Sequence, residues 1–119
     1  MKQVLYVDDA ASMRKLVNLV LQNHYQVTLA SNGVEGLEKI QQQDFDVIIS
    51  DVNMPIMDGL GFLEALRQLE RSRFTPVLML TTEASPELKM RGRELGATGW
   101  IVKPFDPEKL PSLIERACS

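Results

Sequence analysis

Five short apolar runs separated by helical patterns constrain the fold of this chain more than any other feature. They are Val4-Leu5-Tyr6-Val7, Val27-Thr28-Leu29-Ala30, Val47-Ile48-Ile49, Val77-Leu78-Met79-Leu80 and Trp100-Ile101-Val102. Each is nearly continuous rather than alternating, as in a strand covered on both faces, and such strands belong to parallel sheets. Between the first two runs, Met13, Leu16, Val17, Val20 and Leu21 follow the i, i+3, i+4, i+7, i+8 stripe of an amphipathic helix. Leu37 and Ile40 mark a second helix, Phe62, Leu63, Leu66 and Leu69 a third, Leu88 and Leu95 a fourth, and Leu110, Leu113, Ile114 and Ala117 a fifth. Strand then helix, five times over, requires right-handed crossovers. These place helices on both faces of a single open five-stranded parallel sheet, an α/β (βα)5 flavodoxin-like fold.

With 119 residues, 45% of them hydrophobic, the chain can bury one core and is too short for two. A single domain over residues 1–119 is therefore expected, with Pro55, Gly59, Gly96, Gly99 and Pro104 punctuating loops rather than separating units. A formal net charge of -3 argues against a nucleic-acid binder. Lys89, Arg91 and Arg93 are interleaved with acids and read as a solvated helix face. Cys118 has no partner for a disulfide or a thiolate metal site, which fits a reducing compartment. Met1 to Val7 lacks a signal-peptide core, and no apolar run could span a bilayer, so the expected location is cytoplasmic and away from membranes.

Sheets of this kind bind ligands at the carboxyl ends of their strands. There the first run ends in Asp8-Asp9, the third in Asp51, the fourth in Thr81-Thr82 and the fifth in Lys103. Singly, each has an ordinary explanation: a helix cap for the acid pair, a turn for Asp51, a β-branched strand former for Thr81, a solvated side chain for Lys103. Convergence on one rim changes the reading. Three carboxylates in close quarters take up protons or recruit a cation, and hard oxygen ligands select magnesium, manganese or calcium. Such a site suits phosphoryl transfer: the cation and Lys103 would neutralise the transferring group, Thr81 would donate a hydrogen bond, and Asp51 would be the nucleophile.

The strings VDD at 7–9, DVNMPIMDG at 51–59, TTEA at 81–84 and KPF at 103–105 resemble, in order and spacing, the receiver domain of two-component response regulators, over Val4 to Ala117. NMP, MDGL, FTPVLMLTTEA and GATGWIVKPFDPEKL carry a closer resemblance to stand-alone chemotaxis regulators of the CheY type. The resemblance implies a signalling module rather than an enzyme, with Asp51 phosphorylated by a histidine kinase of the chemotaxis type or by small acyl phosphates. It implies Mg2+, with Mn2+ as an alternative, ligated by Asp9, Asp51 and the backbone carbonyl of Asn53, with Asp8 assisting through water. Thr81, Thr82 and Lys103 would hold the phosphoryl group, and Asn53 and Glu83 would tune its hydrolysis. The Lys103-Pro104 bond would be cis. Thr81 and Trp100 would form the switch, passing the signal to the surface of the fourth helix, fifth strand and fifth helix. A flagellar motor switch protein or a phosphatase would read that surface, the chain being a monomer with no effector domain.

Two positions depart from the family pattern. Trp100 stands where Tyr or Phe is commoner and has no hydroxyl, and a half-buried strand aromatic explains it as well as a switch does. Pro111 falls where the last helix should be running, so that helix is expected to bend or to restart near Leu110. Three alternative readings meet particular residues. A receiver cut from a larger regulator fits the same motifs. An aspartyl-phosphate hydrolase would need a second acid two residues after the nucleophile, where Asn53 stands. A nucleotide or flavin module would need a Gly-rich loop after the first strand, where the chain has Asp8-Asp9-Ala10-Ala11-Ser12.

Overall fold

The computed structural model describes residues 1–83 and 85–119, so Ala84 of the TTEA string lies outside the described residues. Its elements are β1 (Lys2–Val7), α1 (Ala11–Leu21), β2 (Tyr25–Ala30), α2 (Gly33–Gln42), β3 (Val47–Asp51), α3 (Gly59–Arg67), β4 (Val77–Thr81), α4 (Pro86–Glu94), β5 (Gly99–Val102) and α5 (Leu110–Cys118). All strand pairs are parallel, in the order β2-β1-β3-β4-β5, as the apolar runs required. The central strands β1, β3 and β4 are nearly all buried, whereas β2 and β5 are edges and only partly so. Edge position explains why Val102, written into an apolar run, is 41% exposed.

Successive side chains of β1 point to opposite layers. Leu5 and Val7 join Ile48, Met79, Phe62, Leu63 and Leu66 in one core, against which Leu37, Leu88 and Leu95 pack. Val4 and Tyr6 join Ile49, Leu80, Val17, Leu21, Leu110 and Ile114 in the other. Helices α2, α3 and α4 therefore cover one face and α1 and α5 the other. Within the α1 stripe Leu16 departs from expectation. At 42% exposed it lies off the seam, and burial concentrates on Val17 and Leu21. Leu69 and Leu95 fall just past the ends of α3 and α4 yet still pack on the core.

Helix starts at the rim carry side-chain caps: Asn32 accepts from the Glu35 amide, Asp58 from Gly61 and Ser85 from Leu88. Pro111 sits in the first turn of α5, directly after a 3-10 turn over Pro107–Lys109, where a missing N–H costs nothing. The helix thus restarts at Leu110. Arg67 fastens the opposite end of the molecule, its guanidinium donating to the carbonyls of Ser72, Arg73, Thr75 and Gly96. Lys89, Arg91 and Arg93 are exposed on α4, as read. Among the described residues no helix is long and apolar enough to cross a membrane.

Candidate functional site

The strand order places the ends of β1 and β3 side by side at the point where the chain's course reverses, from β2 on one flank to β4 and β5 on the other. Crevices open at such points. Asp51 is the last residue of β3, and Asp8 follows β1 directly. Asp8 is fully buried, Asp51 nearly so, and Asp9 exposed. One carboxylate oxygen from each of the three lies within 4.8 Å of the others. Lys103 closes the group from the end of β5, with Nζ 3.2 Å from Asp51 Oδ1 and 3.6 Å from Asp8 Oδ2.

The acid pair does not cap α1. Ala10 is the N-cap residue, without a side-chain hydrogen bond, and the Asp8 carboxylate instead accepts from the Ala10 amide at 3.0 Å and from the Tyr6 hydroxyl at 2.7 Å. Arg14, one turn into α1, donates to the Asp8 carbonyl at 2.7 Å and fixes the loop from behind. Burial holds the Asp51 carboxyl above the ordinary carboxylate range; Lys103 opposes this, while Asp8 and Asp9 reinforce it. Burial and the bond to Asp8 push the Tyr6 phenol well above its usual range.

Beyond Asp51 the backbone is drawn tight. The Met57 amide donates to the Pro55 carbonyl at 2.8 Å, and Ile56 between them has φ +72°, a γ-turn. The Gly59 amide then reaches back to the Val52 carbonyl at 2.7 Å. A Cβ on Gly59 would collide with the Asp51 carbonyl oxygen and lie 2.7 Å from Val52 Cα, so only glycine admits this approach. Asn53 is exposed on this loop. Thr81, fully buried at the end of β4, accepts the Glu83 amide on Oγ1 at 3.0 Å, and its carbonyl accepts the Lys103 amide at 2.7 Å. Thr82 is exposed beside an apolar hollow lined by Met13, Pro104 and Phe105. The Lys103-Pro104 bond is cis, as the resemblance implied.

Trp100 lies apart from the carboxylates. Its ring is half-buried against Gly92 of α4, where a Cβ would come 2.5 Å from Cζ3, and its indole N–H has no hydrogen-bond acceptor among the described residues. Of the residues read from sequence, Asp8, Asp9, Asp51 and Lys103 are thus brought together, while Thr81 lies adjacent and Trp100 packs on α4. Tyr6 and Arg14 were missed. Tyr6 is hidden inside an apolar run, although strand periodicity puts it on the same side as Asp8 two residues on, and a lone hydroxyl at that parity was the available signal.

Three oxygen donors with two of them buried, a single lysine among the described residues paired with them, and one side open at Asp9 suit a hard divalent cation that keeps some of its waters. A family model described as the response regulator receiver domain matches residues 4–115. The chain belongs to this family. Receiver domains are signalling modules that bind Mg2+ at an acidic pocket, the chemistry that the Asp8, Asp9 and Asp51 cluster offers. Chemotaxis protein CheY-3 of Vibrio cholerae is 36% identical over 96% of this chain and 92% of its own length. The crystal structure of Vibrio cholerae chemotaxis protein CheY4 superposes with a TM-score of 0.94 at 52% identity, covering 98% of both chains. The probable transcriptional regulator ycf29 of Porphyra purpurea is 35% identical over 94% of this chain, which spans only 54% of that protein's length.

Proposed function

We propose that Asp51 accepts a phosphoryl group from a histidine kinase and that the chain is a chemotaxis-type response regulator. The observation that carries this is the buried Asp51 carboxylate, with Lys103 Nζ at 3.2 Å and two further carboxylates within reach of one cation. A bound Mg2+, held by Asp9, Asp51 and the Asn53 carbonyl with Asp8 acting through water, would screen the carboxylates and the incoming phosphoryl oxygens from one another. A carboxylate oxygen of Asp51 attacks phosphorus. The P–N bond of a phosphohistidine, or the P–O bond of an acyl phosphate, breaks with its electron pair leaving on the imidazole or carboxylate. Lys103 balances charge on the transferred group, Thr81 turns its hydroxyl toward it, and Thr82 and the loop amides supply further donors. Glu83 and Asn53 flank the path of an attacking water and set how long the acyl phosphate lasts.

Engaging Thr81 draws on the β4–α4 connection, and Trp100 on the neighbouring β5 carries the change to the surface of α4, β5 and α5. That surface would serve a flagellar motor switch protein or a phosphatase in the cytoplasm, with the chain acting as a monomer. Likeness to CheY-3 and CheY4 over nearly their full lengths favours a single-domain role. The partial span of ycf29 favours a second reading, a receiver belonging to a longer regulator. Incubation with Mg2+ and acetyl phosphate or beryllofluoride should change Trp100 fluorescence and label the protein once. An unaltered response in Asp51→Asn would overturn the assignment.

A further inference from the structure

Tyr6 is the one hydroxyl in the β1 run, fully buried among Val17, Leu21 and Leu110, yet its oxygen is aimed at the acid cluster. Packing alone would be served by phenylalanine. The hydroxyl donates to Asp8 Oδ2 at 2.7 Å, the same oxygen that faces Lys103 Nζ at 3.6 Å, while Asp8 Oδ1 is taken by the Ala10 amide. Lys103 stands closer to Asp51, at 3.2 Å. Asp8 is fully buried, so its carboxylate leans on the donors packed around it. Without the phenol, its bare Oδ2 would therefore compete with Asp51 for Lys103, the cation that pairs with both carboxylates.

We infer that Tyr6 is a positioning residue which, by satisfying Asp8 Oδ2, keeps Lys103 on the Asp51 side of the site, where a phosphoryl group would be received. This rests on the acceptor role proposed for Asp51. The lysine is shared between two carboxylates, at 3.2 Å and 3.6 Å, and the hydrogen bond to Asp8 weighs on that division. Tyr6→Phe keeps the ring and the core volume and removes only that bond.

The test is the rate of phosphorylation by acetyl phosphate at saturating Mg2+ in wild type, Tyr6→Phe, Lys103→Ala and the double variant. Loss of an outer partner of a metal-site ligand costs on the order of tenfold, and that slowing is expected for Tyr6→Phe. In the Lys103→Ala background the same substitution should change the rate less than twofold, because its effect runs through the lysine. A packing role would instead give the same factor in both backgrounds. An undiminished rate in Tyr6→Phe, or an equal loss with and without Lys103, overturns the inference. In unsubstituted protein a slowly exchanging Tyr6 hydroxyl proton should be visible by NMR and persist with Mg2+ and beryllofluoride, and its disappearance on loading would also overturn it. Asp51→Asn separates the two levels. If that variant is labelled as wild type is, the acceptor reading itself has failed; if it is inert while Tyr6→Phe behaves as wild type, only the role of Tyr6 has.

Discussion

Asp51→Asn should make the metal-free protein more stable, although it removes an ion pair. Asp51 Oδ1 lies 3.2 Å from Lys103 Nζ, an attraction of about 5 kcal/mol at an effective dielectric near 20. Against it stand Asp8 and Asp9, whose nearest oxygens lie within 4.8 Å; each pair repels by roughly 3.5 kcal/mol at that distance, with the exposed Asp9 counting for much less after screening. The Coulomb terms nearly cancel, which leaves the cost of burying a carboxylate that asparagine does not incur. A gain of about 1–2 kcal/mol follows, a Tm rise on the order of 5 °C. The sign with pH agrees. The folded-state pKa of Asp51 is raised, so its stabilising contribution is complete below the ordinary carboxylate range and is lost as pH rises through the folded value. The variant's advantage should therefore be largest near neutrality and shrink on acidification. Magnesium should reverse the order: at a hundred times its dissociation constant it adds about 2.7 kcal/mol to the wild type and little to the variant. Thermal unfolding followed by circular dichroism, in EDTA and in Mg2+, measures all of this. A variant less stable than wild type in EDTA, or stabilised equally by Mg2+, would refute the electrostatic account.

Other consequences concern the frame around the site. Gly59→Ala drives a Cβ into the backbone of Asp51 and Val52, so a loss of about 2 kcal/mol in urea unfolding and slower labelling by acetyl phosphate are expected together. Arg67→Ala strips donors from the carbonyls of Ser72, Arg73, Thr75 and Gly96 and should cost roughly 2–3 kcal/mol, with Arg67→Lys recovering little because an ammonium lacks the planar fork; chemical denaturation of the three proteins tests it. In an alkaline absorbance titration, neither tyrosine should ionise near pH 10. Tyr25, pushed up to about 12 by burial and its bond to Glu115, should titrate late, Tyr6 should follow only on unfolding, and stability should fall as pH rises from 10 through that value.

The receiver motifs were legible because each is local: a polar residue placed directly at the end of an apolar strand. Asp8, Asp9, Asp51, Thr81 and Lys103 could be picked from the string, and parallel topology predicts that they share a rim. Pro111 was legible too, since its missing N–H fits only a first turn, and α5 starts accordingly. Leu16 was misread for a physical reason. A helical stripe specifies a face but not its width, and how much of α1 is covered depends on neighbours distant in sequence. Sheet order was hidden in the same way, so nothing in the β2 and β5 runs announced that they are edges.

By itself, then, the sequence determined the alternation of strand and helix, and hence the rim on which five polar residues meet. That follows from backbone periodicity and crossover handedness, which are properties of short stretches of chain. Only the tertiary structure decided how those residues divide one positive charge. Lys103 stands nearer Asp51 than Asp8, Asp8 turns inward rather than capping α1, and Tyr6 turns out of an apolar run to satisfy it. Such outcomes depend on differences of tenths of an ångström between groups nearly a hundred positions apart in the chain, and no local pattern of residues encodes them.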